Sequence, residues 1–272
     1  MRNYPIFILL CLVFFGTLES SASHILPKSR YTLVIPAKSN PRIKFGADKL
    51  AKSLSSIGYE VDIVQQDKIP SGDNLILIGT KGGPLMRGSG AQMSTDKQAG
   101  KEGFSIRYNK NKLLSIEGTD HSGTLYGCME LVNQINKNGR LPDQISITDQ
   151  PEMVLRGTCI GLQKPDYLPG RDVYEYPYTP ESFPWFYDKT LWLQYLDMMV
   201  ENRYNSLYLW NGHPFSSLVK LKEYPYAVEV DDATFKKNEE MFRFLTQEAD
   251  KRGIWVIQMF YNIIIPKPFA EK

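Results

Sequence analysis

Histidine and cysteine are scarce in this chain of 272 residues, with three of each. His24, His121 and His213 share no metal-ligand spacing, so neither a metal nor a cofactor is expected. Cys11 falls in the leading apolar run, and neither Cys128 nor Cys159 belongs to a CxxC pair. Export would permit a bridge between the last two, although cysteines of this apolar setting serve more often as small core side chains. Charge imbalance is missing as well. The 32 basic and 30 acidic side chains leave a net +2, too little to neutralise a phosphate backbone, so nucleic acid is not an expected partner. Beyond Phe15 no apolar run approaches the ~20 residues of a membrane helix, which argues against a stable membrane anchor. Disorder is excluded by an aromatic content of 12%.

What is present begins with an address. Arg2 supplies a positive start, Ile6 to Phe15 an apolar run too short to span a bilayer, and Ser20 to Ser23 a stretch of small residues. Residues 1–23 therefore read as a signal peptide, with secreted or periplasmic localisation.

Residues 24–150 alternate β-rich and helical runs, as a compact α/β domain does. Tyr31 to Ile35 reads as a strand, followed by a helix with Asn40 as N-cap, Pro41 in its first turn and Gly58 as its stop. Further strands are expected at Glu60 to Val64 and Asn74 to Ile78, and a hairpin at Phe104 to Tyr108 and Leu113 to Glu117. A second helix, His121 to Asn136, carries Leu125, Met129, Val132 and Ile135 on one face, which lays it across the same sheet. Gly79-Thr80-Lys81-Gly82-Gly83 lacks the endings of a phosphate-binding loop and reads as a turn.

Residues 151–272 follow a βαβαβ pattern: strand Val154 to Ile160, helix Asp188 to Glu201, strand Asn205 to Trp210, helix Asp232 to Arg252 and strand Ile254 to Tyr261. The first helix presents Leu191, Tyr195, Leu196 and Met199 on one side; the second presents Phe235, Phe242, Leu245 and Ala249. No glycine fingerprint follows the strands, so a dinucleotide fold is disfavoured. A (β/α)8 barrel needs about 250 residues, and three strands cannot close one. The expected fold class is α/β: a small α/β sandwich domain followed by an incomplete (β/α)8 TIM barrel of about three strands, the front end of a longer protein.

Four motifs resemble glycoside hydrolases in which a small α/β accessory domain precedes the barrel, namely family 20 β-N-acetylhexosaminidases and family 67 α-glucuronidases. Thr119-Asp120-His121-Ser122-Gly123-Thr124-Leu125-Tyr126-Gly127 is similar to the start of the closing helix of that domain. Leu155-Arg156-Gly157 resembles the first barrel strand, Asn202 to Trp210 the second and Lys251 to Ile257 the third. The pattern departs from family 20 at Asn211-Gly212-His213-Pro214 and at Gln258 to Asn262, where that family carries acidic runs.

The resemblance implies a carbohydrate substrate, bound at the carboxyl ends of the strands, where barrel enzymes place their sites. Arg156, Asn211, His213, Tyr261 and Asn262 are the expected sugar-binding residues, Arg156 by gripping hydroxyls unless it pairs with a barrel carboxylate instead. Trp185 joins them from an aromatic loop, Gly161 to Tyr187, that either stacks on sugar rings or covers the core. Glycoside hydrolysis needs two carboxylates flanking the bond. The resemblance places the acid beyond Lys272, so this chain alone is expected to be inactive. The competing expectation is a non-catalytic carbohydrate-binding or partner-completed protein.

Overall fold

The computed structural model describes residues 28–89, 100–109, 113–161, 177–211, 215–260 and 271–272. The signal peptide expected at residues 1–23 lies outside them. Among the described residues no helix is long and apolar enough to cross a membrane.

The first unit is a six-stranded sheet. Strand β1 (Lys28–Ile35) leads to helix α1 (Pro41–Ser56), followed by β2 (Tyr59–Gln65), β3 (Leu75–Thr80), a short helix α2 (Pro84–Gly88), β4 (Phe104–Tyr108), β5 (Leu114–Gly118), helix α3 (His121–Asn138) and β6 (Ser146–Asp149). The order is β2-β1-β3-β5-β4-β6, parallel through β5, with β4 antiparallel to both β5 and β6. Asn40 caps α1 by accepting from the Arg42 amide, and Asp120 caps α3 by accepting from that of Gly123. Leu33, Ile35, Ile76, Ile78, Ile106 and Ile116 face these helices, which bury Ile43, Ala47, Leu50, Leu125 and Ile135 against them. Alternation sends Val34 and Leu77 to the opposite face, where α2 covers them with Leu85 and Met86.

The second unit holds three strands, β7 (Gly157–Gly161), β8 (Ser206–Asn211) and β9 (Trp255–Phe260), parallel and in sequential order. Helices α4 (Lys189–Glu201) and α6 (Asp232–Lys251) make the crossovers, and a short α5 (Phe215–Leu218) follows β8. Leu207 and Leu209 of β8 are buried in one cluster with Leu196 and Met199 of α4 and Leu245 and Ala249 of α6, so both crossover helices cover the same face. A doubly wound sheet would place helices on both faces; one covered face with sequential strands is how a (β/α)8 barrel starts. Among the described residues no helix covers the other face. Cys159, Tyr208 and Ile257 are in register across it, and Trp210 and Trp255 are exposed.

Three sequence expectations need correction. The strand expected from Val154 starts only at Gly157, and Met153, Val154 and Leu155 are exposed. At Gly157 a Cβ would lie 1.7 Å from the Ser206 carbonyl oxygen, so only glycine lets β7 approach β8 so closely. In α4 the buried stripe is Trp192, Leu196, Met199 and Val200, with Leu191 exposed. In α6 it is Asn238, Met241, Leu245 and Ala249, with Phe235 only partly covered. Each stripe is turned by about one residue toward the segment before α4: Trp192 donates to the Phe186 carbonyl and Asn238 to that of Tyr178, so these helices answer to more than the sheet. The two cysteines among the described residues are free, Cys128 buried and Cys159 exposed.

Candidate functional site

The carboxyl ends of β7, β8 and β9 are Gly161, Asn211 and Phe260. Asn211 closes β8 opposite Phe260, as the sequence places it. His213, Tyr261 and Asn262 lie outside the described residues, as does the side chain of Asn211.

The segment from Tyr178 to Tyr187 folds back onto α6, burying Tyr178, Phe183 and Phe186. Tyr178 stacks on Phe186 with ring centroids 5.4 Å apart, and Phe186 meets Phe242 of α6 at 5.2 Å. Trp185 is half-buried, its ring 6.0 Å from that of Trp192 and set edge-on to Phe186. Of the two roles open to this loop, the described part covers the core.

Sequence reasoning missed the polar hub beneath it. Asn238, fully buried on α6, donates to the carbonyls of Tyr178 (2.9 Å) and Ser217 (3.0 Å) and accepts from the Tyr187 hydroxyl. The Ser217 hydroxyl accepts from the Tyr178 amide at 2.8 Å. One asparagine thus ties the loop after β7 to the helix after β8, both at the end where a barrel site forms. The available signal was an amide in the apolar stripe of α6. Burial, and then the charge of Glu181, raises the pKa of the Tyr187 phenol, which stays a neutral donor. Nearby carboxylates serve structure: Asp188 caps α4, Asp231 caps α6 and Asp232 pairs with Lys220.

Arg156 is not at this end. It precedes β7, at the amino end of the sheet, and its guanidinium is occupied. Nη2 meets Glu102 at 2.7 Å, with both side chains about nine-tenths buried. Nε donates to the Arg203 carbonyl at 2.9 Å and Nη1 to that of Met153 at 2.7 Å. The expectation that Arg156 grips a sugar is therefore corrected: it bolts the three-stranded unit to the six-stranded one. Nor is its partner a barrel carboxylate, since Glu102 belongs to the segment before β4.

The same seam collects the other motifs. The Asn205 side chain accepts from the Arg156 amide at 2.8 Å and donates to the Val154 carbonyl and to Glu102. Asp120 accepts from the Glu102 amide at 2.9 Å, steadying a residue with a left-handed φ of 60°. Arg252, almost fully buried, lies 4.5 Å from the Phe45 ring centroid and bonds Asp197 at 2.7 Å. Lys49 of α1 reaches the other oxygen of Asp197, also at 2.7 Å. Burial opposes the charge on Asp197, but hydrogen bonds from Lys49 and Arg252 outweigh it and hold its pKa below the ordinary value. All four motifs behind the family resemblance contribute to this seam. Among the described residues no cluster of three or more His, Cys, Asp or Glu side chains is placed to hold a metal ion.

This architecture is shared with glycoside hydrolases. The chain is similar to a family 138 enzyme described as targeting pectin rhamnogalacturonan II, with 52% identity over 90% of this chain and a TM-score of 0.75. A family 115 4-O-methyl-α-glucuronidase with specificity for decorated arabinogalactans matches over 85% of the chain at 15% identity and TM-score 0.54. The Flavobacterium johnsoniae chitobiase matches over 84% at 17% identity and TM-score 0.51. These last two share the fold alone, so the likeness to family 20 is one of architecture, whereas that to the family 138 enzyme extends to sequence. The chain spans 26%, 28% and 30% of the three proteins' lengths. No family model and no curated protein matches the sequence.

Proposed function

We propose that this chain is part of an exported glycoside hydrolase of the family 138 kind that cleaves glycosidic bonds in pectic polysaccharide. The observation that carries the reading is 52% identity over 90% of the chain to an enzyme targeting rhamnogalacturonan II. The three βα units supply the first strands of a barrel, and sugar contacts come from Asn211, His213, Tyr261 and Asn262 at and beyond their carboxyl ends. The catalytic carboxylates lie outside this chain. One protonates the glycosidic oxygen as an oxocarbenium-like state develops.

The test is to read the frame past codon 272, express the complete protein and incubate it with rhamnogalacturonan II. Release of reducing sugar by the complete protein, with none from the 272-residue chain, is the expected result. A stop codon after Lys272, or a complete protein that leaves rhamnogalacturonan II intact, overturns it.

A further inference from the structure

A pocket of about 580 Å³ opens at the amino-terminal edge of the six-stranded sheet, at the opposite end of β1, β3 and β5 from the loop carrying Glu102 and Asp120. Its volume falls in the range of small-molecule sites, roughly 300–1,000 Å³. Buried Leu75 and Leu114 line it together with half-buried Tyr31 and Tyr108. Asn74, Asp143 and Gln144, all exposed, bring polar side chains to the rim.

Several of these groups are held in place without a ligand. The Tyr108 hydroxyl donates to the Pro142 carbonyl at 3.0 Å, fixing that ring beneath the loop after α3. Tyr31 stands edge-on to Tyr59 at 5.0 Å. Asn74 adopts a left-handed φ of 55°, its carbonyl accepting from the Thr32 amide and its side chain donating to the Arg30 carbonyl. Groups already held, here Tyr108 and Asn74, reduce the ordering cost of binding.

The chemistry suits a hydroxyl-rich ring with apolar faces. Tyrosine rings accept the C–H faces of a pyranose, while amide and carboxylate oxygens accept from its hydroxyls. Charge narrows the class. Asp143 is the one carboxylic acid among the described lining residues, and no lysine or arginine is among them. Arg140 lies on Asp143 at 3.0 Å, but both side chains are largely in solvent, so the pair is weak. A uronate carboxylate would meet Asp143 and find no cation in the lining. We propose that this pocket binds one neutral sugar residue of a glycan, with its apolar face on Tyr31 or Tyr108 and its hydroxyls on Asn74, Asp143 and Gln144. The proposal rests on the pocket's own chemistry and takes from the polysaccharide reading only the choice of probes.

The experiment is calorimetric titration of the complete protein with methyl β-galactopyranoside, a galactose oligosaccharide and methyl α-galacturonide. Saturable binding of a neutral probe, at least roughly tenfold tighter than that of the uronide, is expected. Tyr31→Ala and Gln144→Ala should each weaken it by about tenfold or more, and Tyr224→Ala, remote from the pocket, should leave it unchanged. Gln144 is exposed, so its loss leaves the fold intact, and an unchanged melting temperature separates lost binding from lost structure. Equal affinity for the uronide, no binding of any probe, or binding that survives both pocket variants overturns the site. The hydrolysis assay does not depend on this pocket. Hydrolysis without pocket binding removes this inference alone, and binding without hydrolysis removes the proposed activity alone.

Discussion

Arg156 and Glu102 show what one ion pair at a seam requires. Each is about nine-tenths buried, and removing one partner leaves the other charge in a dry interface, which costs about 3–5 kcal/mol. Glu102→Gln and Arg156→Met should each destabilise by that order in urea unfolding. The double variant should cost well below their sum, because neither charge is then stranded. Additive costs would mean that the pair is not coupled. A sharper case is Gly157→Ala. The added Cβ would sit 1.7 Å from the Ser206 carbonyl oxygen, so β7 cannot pair as it does, and circular dichroism should report lost sheet or no soluble protein. Arg156 also marks the limit of residue-level reading. The resemblance singled it out within Leu155-Arg156-Gly157, but its role was not legible. Whether it faces a sugar or a seam depends on which end of the strand it meets, and the strand begins only after it, at Gly157.

At the scale of elements, the two long helices of the first unit were legible nearly to the residue, because Asn40, Pro41 and Gly58 mark the ends of one and Leu125, Met129, Val132 and Ile135 the period of the other. The short elements α2 and β6 were missed: five and four residues are too few to show a period. Helices α4 and α6 were found, but their buried faces were turned, since each answers to two neighbours and periodicity reports one. The Asn238 hub belongs to this scale, holding the loop after β7 and the helix after β8 on one side chain. Asn238→Ala strands two carbonyls and a phenol, at about 1–3 kcal/mol for each group left unsatisfied. It should open the Tyr178–Tyr187 segment to proteolysis before the rest of the chain. Trp185→Ala, read from sequence as a loss of sugar binding, should instead lower the melting temperature, because the indole packs against Phe186 and Trp192. Unchanged melting with weakened sugar binding would return Trp185 to the stacking role.

At the scale of the molecule, the two units behave as one body. A single buried cluster runs from Leu33 and Ile43 of the first to Leu207 and Leu245 of the second, flanked by the ion pairs of Arg156, Lys49 and Arg252. The resemblance to glycoside hydrolases was legible because all four of its motifs contribute residues to this seam. The chemistry was not, because a barrel site draws on the ends of several strands and the described residues include three. The seam also sets a pH response. Burial works against the charged forms of Asp197 and Glu248, yet both carboxyls titrate below their ordinary values. Hydrogen bonds from Lys49 and Arg252 hold the first, and bonds from Lys251 and Arg252 hold the second. A carboxylate depressed on folding contributes stability that is complete above its unfolded pKa and is lost as pH falls through the folded value. The joint between the units should therefore weaken in acid below about pH 4. Asp197→Asn removes the charge at every pH. It should lower the melting temperature at about pH 7 and flatten its decline between roughly pH 5 and pH 2 relative to the parent chain. Parallel declines in the two proteins would show that the acid response arises elsewhere than in this seam.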